Sequence, residues 1–266
     1  MLLANNNLAL FKAKDAAGNA CLVGCNVPDA SEALLDDVHA LEKAEQAPFK
    51  YIVGSDVHHL FVKKWANAFP GSTLLFPSGR APRLHQGEGL DLVVLDRELP
   101  AFPGSGVQLI PFRGFAHAAL IQTAVDEKER AEVSVYAPAS KVLFLYDVLI
   151  PNMPQFGTLS RLVWGTGRSI WINFNNYGFK LSDKAKAMRS AQLLLDLDVE
   201  HVLFAHGTAT DIVSGTCTYT HTLGLSSSAH SRSFRSRVWG VITGKQECAQ
   251  FMTQYFAALA SKGEPV

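Results

Sequence analysis

The chain has 266 residues, 48% of them hydrophobic, and 24 Lys plus Arg stand against 24 Asp plus Glu. That length supports a sizeable core, and a single domain over 1–266 is the simpler expectation. The balanced charge and the lack of basic runs exclude a global field for polyanions, so the expected partner is a small-molecule substrate and not nucleic acid; a homo-oligomer stays open. No stretch reaches the ~18 apolar residues of a membrane span, and the first residues lack the basic start of a secretion signal. No membrane partner is expected, and the expected location is cytoplasmic.

In chain order, apolar runs at 8–14 and 20–26 flank Asp15-Ala16-Ala17-Gly18-Asn19, which reads as a hairpin. Cys21 and Cys25 lie on the second run and read as small buried hydrophobes, since four scattered cysteines make no disulfide framework. Leu34, Leu35, Val38 and Leu41 predict a helix over 30–45, with Asp29 or Ser31 as N-cap. A strand at 51–53 then leads into Gly54-Ser55-Asp56-Val57-His58-His59-Leu60. Leu60, Phe61, Trp65 and Phe69 suit a helix over 58–69, closed by Pro70-Gly71.

Strands are expected at 73–76, 92–95, 107–110, 118–124, 132–136 and 141–146. Residues 151–167 read as a long loop or broken helix, 181–195 as a helix with Ser182 or Asp183 near its start, and 201–205 as a strand. Residues 216–266 read as a Ser/Arg-rich connection, 216–237, followed by a last helix over 245–260. Helices and strands alternating around a β-rich middle predict an α/β protein whose two sheets are sandwiched between helices.

The chemistry-bearing residues sit at strand ends. Two adjacent imidazoles and a carboxylate follow the strand at 51–53, Asp147 closes Val142-Leu143-Phe144-Leu145-Tyr146, and His206 closes His201-Val202-Leu203-Phe204-Ala205. His117 stands alone in an apolar segment. Histidine is a common metal ligand, and His58, His59, Asp147 and His206 would offer one ion a near-complete tetrahedral set. A second ion would have Asp56, His117 and a shared Asp147. Zinc is the default for mixed imidazole and carboxylate ligation, one or two ions, with iron or manganese also compatible. Glycine repeats at 104–106 and 165–167 lack a Walker lysine or a dinucleotide fingerprint, and no G-x-S-x-G nucleophile elbow occurs.

This order of parts resembles the metallo-β-lactamase fold superfamily over roughly residues 5–210. The superfamily's turn reads His-x-His-x-Asp-His, and the residues falling on it here are Gly54, Ser55, Asp56, Val57, His58 and His59. Three of the four ligand positions differ in type, and His59 alone agrees. Asp56 falls at the second histidine and His58 at the aspartate, while His117, Asp147 and His206 look like the separate histidine, the bridging carboxylate and the last histidine. The tract His58-His59-Leu60-Phe61 with Trp65 and Phe69-Pro70 is also similar to an uncharacterised branch carrying a His-His pair. The resemblance implies an αββα sandwich, two mixed β-sheets flanked by helices. It also implies a metal-dependent hydrolase in which metal-activated water attacks an ester, lactone, amide or phosphoester, with Asp147 and His58 as candidate catalytic residues. A catalytically silent binding or scaffold protein and a metal-centred oxidoreductase are the alternatives.

Overall fold

The computed structural model describes residues 7–78, 81–95, 100–117, 129–147, 149–150, 171–172, 179–206 and 242–243. The opening hairpin forms because its turn closes on itself. Asp15 Oδ1 accepts from the N–H groups of Ala17 and Asn19 at 2.9 Å each, and Gly18 supplies a φ of 85°. Strands β1 (Ala9–Lys14) and β2 (Ala20–Cys25) therefore pair antiparallel, with Ala9 opposite Cys25. Both cysteines are fully buried and free of disulfides, and burial pushes both thiols up.

Helix α1 (Glu32–Glu45) starts at Ser31, whose hydroxyl accepts the Leu34 N–H at 3.3 Å, so Ser31 and not Asp29 is the cap. Strand β3 (Phe49–Val53), helix α2 (Val62–Ala68), strand β4 (Thr73–Pro77), the short helix α3 (Ala81–Leu84) and strand β5 (Asp91–Leu95) complete the first half. Its sheet runs β1-β2-β3-β4-β5, parallel from β2 onward. Helix α2 starts at Val62 and not at the expected 58. The Ser55 hydroxyl accepts from the N–H groups of Val57 and His58 at 3.3 and 3.2 Å, which holds that stretch as a turn.

The second half contains β6 (Gln108–His117), β7 (Glu129–Ala137), β8 (Val142–Leu145), β9 (Leu149–Ile150), β10 (Trp171–Ile172), β11 (Phe179–Leu181), α4 (Lys184–Leu195), β12 (His201–Phe204) and β13 (Ile242–Thr243). Six strands form a mixed sheet in the order β11-β6-β7-β8-β12-β13, in which only β8 and β12 are parallel neighbours. Strands β9 and β10 make a separate pair. The helix expected from 181 starts at Lys184, because residues 179–181 pair with β6 and Asp183 Oδ1 caps the Lys186 N–H at 2.9 Å. β6 outruns the expected 107–110 through a register shift between Phe112 and Phe115. Gly114 sits in that shift at φ 93°, and a Cβ there would collide with Asp183 O and Ala187, so glycine is required. The expected elements at 118–124, 151–167, 216–237 and 245–260 lie outside the described residues, in whole or in the main.

Buried apolar side chains sort by strand parity into layers, except at Phe49, where the register shift between Leu22 and Val23 puts a residue of Tyr51's parity on the other face. Phe11, Val23, Tyr51, Val53 and Leu75 face Leu109, Val133, Val135, Phe144 and Tyr146 between the two sheets. Leu22, Phe49, Ile52, Leu74 and Phe76 face the other way, onto Val38 of α1 and Val62 and Trp65 of α2. Helix α4 packs on β6 and buries Ala187, Ala191 and Leu194. The result is the expected αββα sandwich of two mixed sheets, in which each large buried side chain contributes about 1.5–3 kcal/mol of transfer free energy. Among the described residues, no helix is long and apolar enough to cross a membrane.

The hairpin turn carries a pH signature. Lys50 Nζ donates to Asp15 Oδ2 at 2.6 Å, and this bond, with the turn's N–H donors, holds the Asp15 carboxyl below its ordinary 3.8, at about 2. A carboxyl depressed on folding stabilises above its ordinary range, and that contribution fades as the pH falls toward 2. Asp15→Asn should lower the thermal midpoint at pH 7 and flatten its decline between about pH 4 and 2, as read by circular dichroism at a series of pH values.

Candidate metal centre

Parallel pairing of β8 with β12 sets two of the site's side chains at one level. The register is Val142↔His201 through Leu145↔Phe204, and Lys141 O pins its start by accepting from Glu200 N and His201 N at 2.9 and 3.1 Å. Asp147 and His206 each lie two residues past the last pair. Ala205 N donates to Leu145 O at 2.9 Å, which keeps the two chains together as they leave the sheet.

The third side chain comes from the facing sheet. The turn after β3 closes through Ser55 N, which donates to His58 O at 3.3 Å, and through the two N–H bonds to the Ser55 hydroxyl. Gly54 N donates to Leu75 O at 3.0 Å, and the Phe76 ring occupies the space a Cβ would need. A side chain at position 54 would have to displace the buried Phe76 ring, and the imidazole of this corner comes from position 58.

His58 Nε2 lies 2.8 Å and His206 Nε2 3.0 Å from the same Asp147 oxygen, Oδ1. The candidate ligand atoms of the three residues all lie within 4.8 Å of one another, and their side chains are 8%, 12% and 10% exposed for His58, His206 and Asp147. Burial pushes the Asp147 carboxyl up, but attraction to the two imidazoles and their hydrogen bonds outweigh it and hold the group well below the usual carboxylate range. A charged carboxylate between two imidazoles in a nearly dry corner is a donor set of the kind that divalent transition ions take. Three protein ligands also leave coordination positions open for water or substrate.

Residues that sequence reasoning missed hold this corner in place. The Tyr146 hydroxyl donates to Val53 O at 2.8 Å and accepts from Asn26 N at 2.9 Å, joining the ends of β2, β3 and β8 across the two sheets. Its ring lies 5.5 Å from that of His58, and burial drives its hydroxyl pKa well up. Asn26 Nδ2 donates to Asn7 O and Ala205 O at 3.0 Å each, while Asn7 donates from its amide side chain to Phe204 O and from its backbone to Ala205 O. Adjacency of Tyr146 to Asp147 was the only sequence signal for this network.

The other expected site residues are Asp56, His59 and His117. Asp56 is buried in the turn but does not join the three. His59 faces His85, with Nδ1 3.2 Å from His85 Nε2. His117 is the last residue of β6, its backbone opposite Phe179, and its side chain lies outside what is described.

Two mixed sheets face to face, helices outside them, and a His-Asp-His group drawn from both halves define an αββα sandwich with a candidate metal centre. No protein-family profile matches the sequence, and no curated protein is similar to it. Similar solved structures include a metallo-β-lactamase from Hirschia baltica, at 14% identity over 77% of this chain and 80% of that one, with a TM-score of 0.47. Another is the metallo-β-lactamase from Pontibacter korlensis, at 14% identity over 78% and 90% and a TM-score of 0.43. The flavodiiron core of Flv1 from Synechocystis is similar at 10% identity over 76% and 57%, with a TM-score of 0.41.

Tyr146→Phe leaves the Val53 carbonyl and the Asn26 N–H without their partner in a buried corner, a loss of about 1–3 kcal/mol for each group left unsatisfied. Chemical denaturation should register that loss, whereas Phe144→Tyr, which adds a hydroxyl elsewhere in the core, should not restore it.

Proposed function

We propose that this chain is a metal-dependent hydrolase in which His58, Asp147 and His206 hold a divalent ion, zinc by preference. The observation that carries this reading is the convergence of two imidazole Nε2 atoms on one buried carboxylate oxygen, at 2.8 and 3.0 Å, from strands of both sheets. An ion held there would lower the pKa of a bound water toward neutrality, as metal centres with open positions do.

The protein's own residues contribute three things. Asp147 stays ionised, so it neutralises part of the ion's charge and orients both rings. The near-complete burial of the group keeps the dielectric low, which strengthens every electrostatic contact made inside it. Tyr146, Asn26 and Asn7 hold the strand ends still, so the ligands need little rearrangement when the ion enters. The substrate proposed is a small molecule with an ester, lactone, amide or phosphoester group.

Two imidazoles and one carboxylate also form the donor set of non-haem iron centres, and this favours a metal-centred oxidoreductase as the second reading. Ion identity separates the two readings. Protein purified without added metal should contain near one equivalent of ion by elemental analysis. Asp147→Asn and His206→Ala, each checked for a native circular dichroism spectrum, should retain less than roughly a tenth of it. Chelation should lower the thermal midpoint of the wild type and leave that of the two variants unchanged. A folded wild type that holds no ion and is insensitive to chelator would instead mark a silent scaffold.

A further inference from the structure

The pair His59 and His85 shares no residue with the His58, Asp147 and His206 group. His59 ends the turn after β3, and His85 follows α3. The two rings meet nitrogen to nitrogen, with Nδ1 of His59 3.2 Å from Nε2 of His85, centroids 5.3 Å apart and planes at 74°. An edge-on meeting of this kind brings the ring nitrogens together and leaves the π faces elsewhere.

The distance has a direct chemical reading. Two nitrogen ligands, each ~2.05 Å from one ion at the tetrahedral angle, stand roughly 3.3 Å apart. The observed gap is within hydrogen-bond reach and also close to the width of a chelate.

His85 is also oriented as metal-binding histidines are. Its Nδ1 lies 2.7 Å from Glu88 Oε2, and Lys63 Nζ from α2 donates to the other Glu88 oxygen at 3.2 Å. With the carboxylate accepting from Nδ1–H, the lone pair of the neutral ring is on Nε2, the atom aimed at His59. Phe76 stacks on the other side of the His85 ring at 5.8 Å and 16°, limiting its rotation. Carboxylate, imidazole and open nitrogen lie in sequence, an arrangement that fixes tautomer and ring plane before any ion arrives.

We propose that His59 Nδ1 and His85 Nε2 form a second transition-ion site, supported by Glu88, for an ion that favours imidazole ligands such as zinc(II), nickel(II) or copper(II). Water or an exogenous ligand completes its coordination. On binding, neutral His59 carries its proton on Nε2, freeing Nδ1 for the ion, so no net proton leaves the pair.

The test is equilibrium dialysis of chelator-stripped full-length protein against zinc(II). The wild type should bind a second, weaker equivalent beyond the one assigned to His58, Asp147 and His206. His85→Ala should lose the second equivalent and keep the first, while Asp147→Asn should lose the first and keep the second. Glu88 is surface-lying, so Glu88→Gln serves as the variant least disposed to misfold, and it should weaken only the second equivalent, by roughly 10–100-fold. Wild-type stoichiometry and affinity in both His85→Ala and Glu88→Gln, or a single wild-type equivalent that Asp147→Asn abolishes, would overturn the second site without touching the hydrolase reading. Loss of zinc in His85→Ala together with no change in Asp147→Asn would do the reverse.

Discussion

The parallel pairing of β8 with β12 is the constraint on which the centre depends. Every other pairing in that sheet is antiparallel, and antiparallel neighbours send their chain ends to opposite edges. Only a parallel pair lets two neighbouring strands bring their C-terminal ends to the same edge, and α4 lies in the connection between them. With Lys141 O fixing the register at one end, Asp147 and His206 have no freedom to slide past each other. The sheet thus sets their spacing before any side-chain interaction operates.

Bringing the third side chain from the facing sheet needs a different device. Packing between sheets holds them near 10 Å but does not by itself fix one edge against the other. Here the Tyr146 hydroxyl spans the gap, bonded to Val53 O and Asn26 N, directly beside the residue that carries the carboxylate. A directional hydrogen bond in a dry interior costs more to break than to shift, so this contact converts loose sheet packing into a defined distance between His58 and Asp147. The burial that makes Tyr146 effective also raises the cost of an ionised Asp147, and the two imidazoles offset that cost.

Adjacent histidines behave unlike a pair here. His58 and His59 are neighbours in the chain, yet one meets Asp147 and His206 and the other meets His85. Successive side chains in a turn diverge, so a His-His dipeptide more readily serves two separate groups than one. Gly54 shows the complementary limit: the Phe76 ring lies where a Cβ would stand, so any side chain there would have to displace it.

From the sequence alone, hydrophobic periodicity was enough to read the hairpin, the two helices expected over 30–45 and 181–195, most strands and the two-sheet class, because burial of alternate side chains is a local pattern. The strand-end positions of Asp147 and His206 were legible for the same reason. Helix starts were less so: at 58 and 181 the apolar pattern continues, and the Ser55 hydroxyl and the pairing of residues 179–181 with β6 overrule it. Tertiary structure alone decided which strands run parallel, which histidine faces which carboxylate, and that Tyr146, Asn26 and His85 matter at all. Those outcomes depend on contacts between residues such as 26 and 146, or 58 and 147, whose separation along the chain leaves no periodic trace, and only the closing of the sandwich brings them within a hydrogen bond's reach.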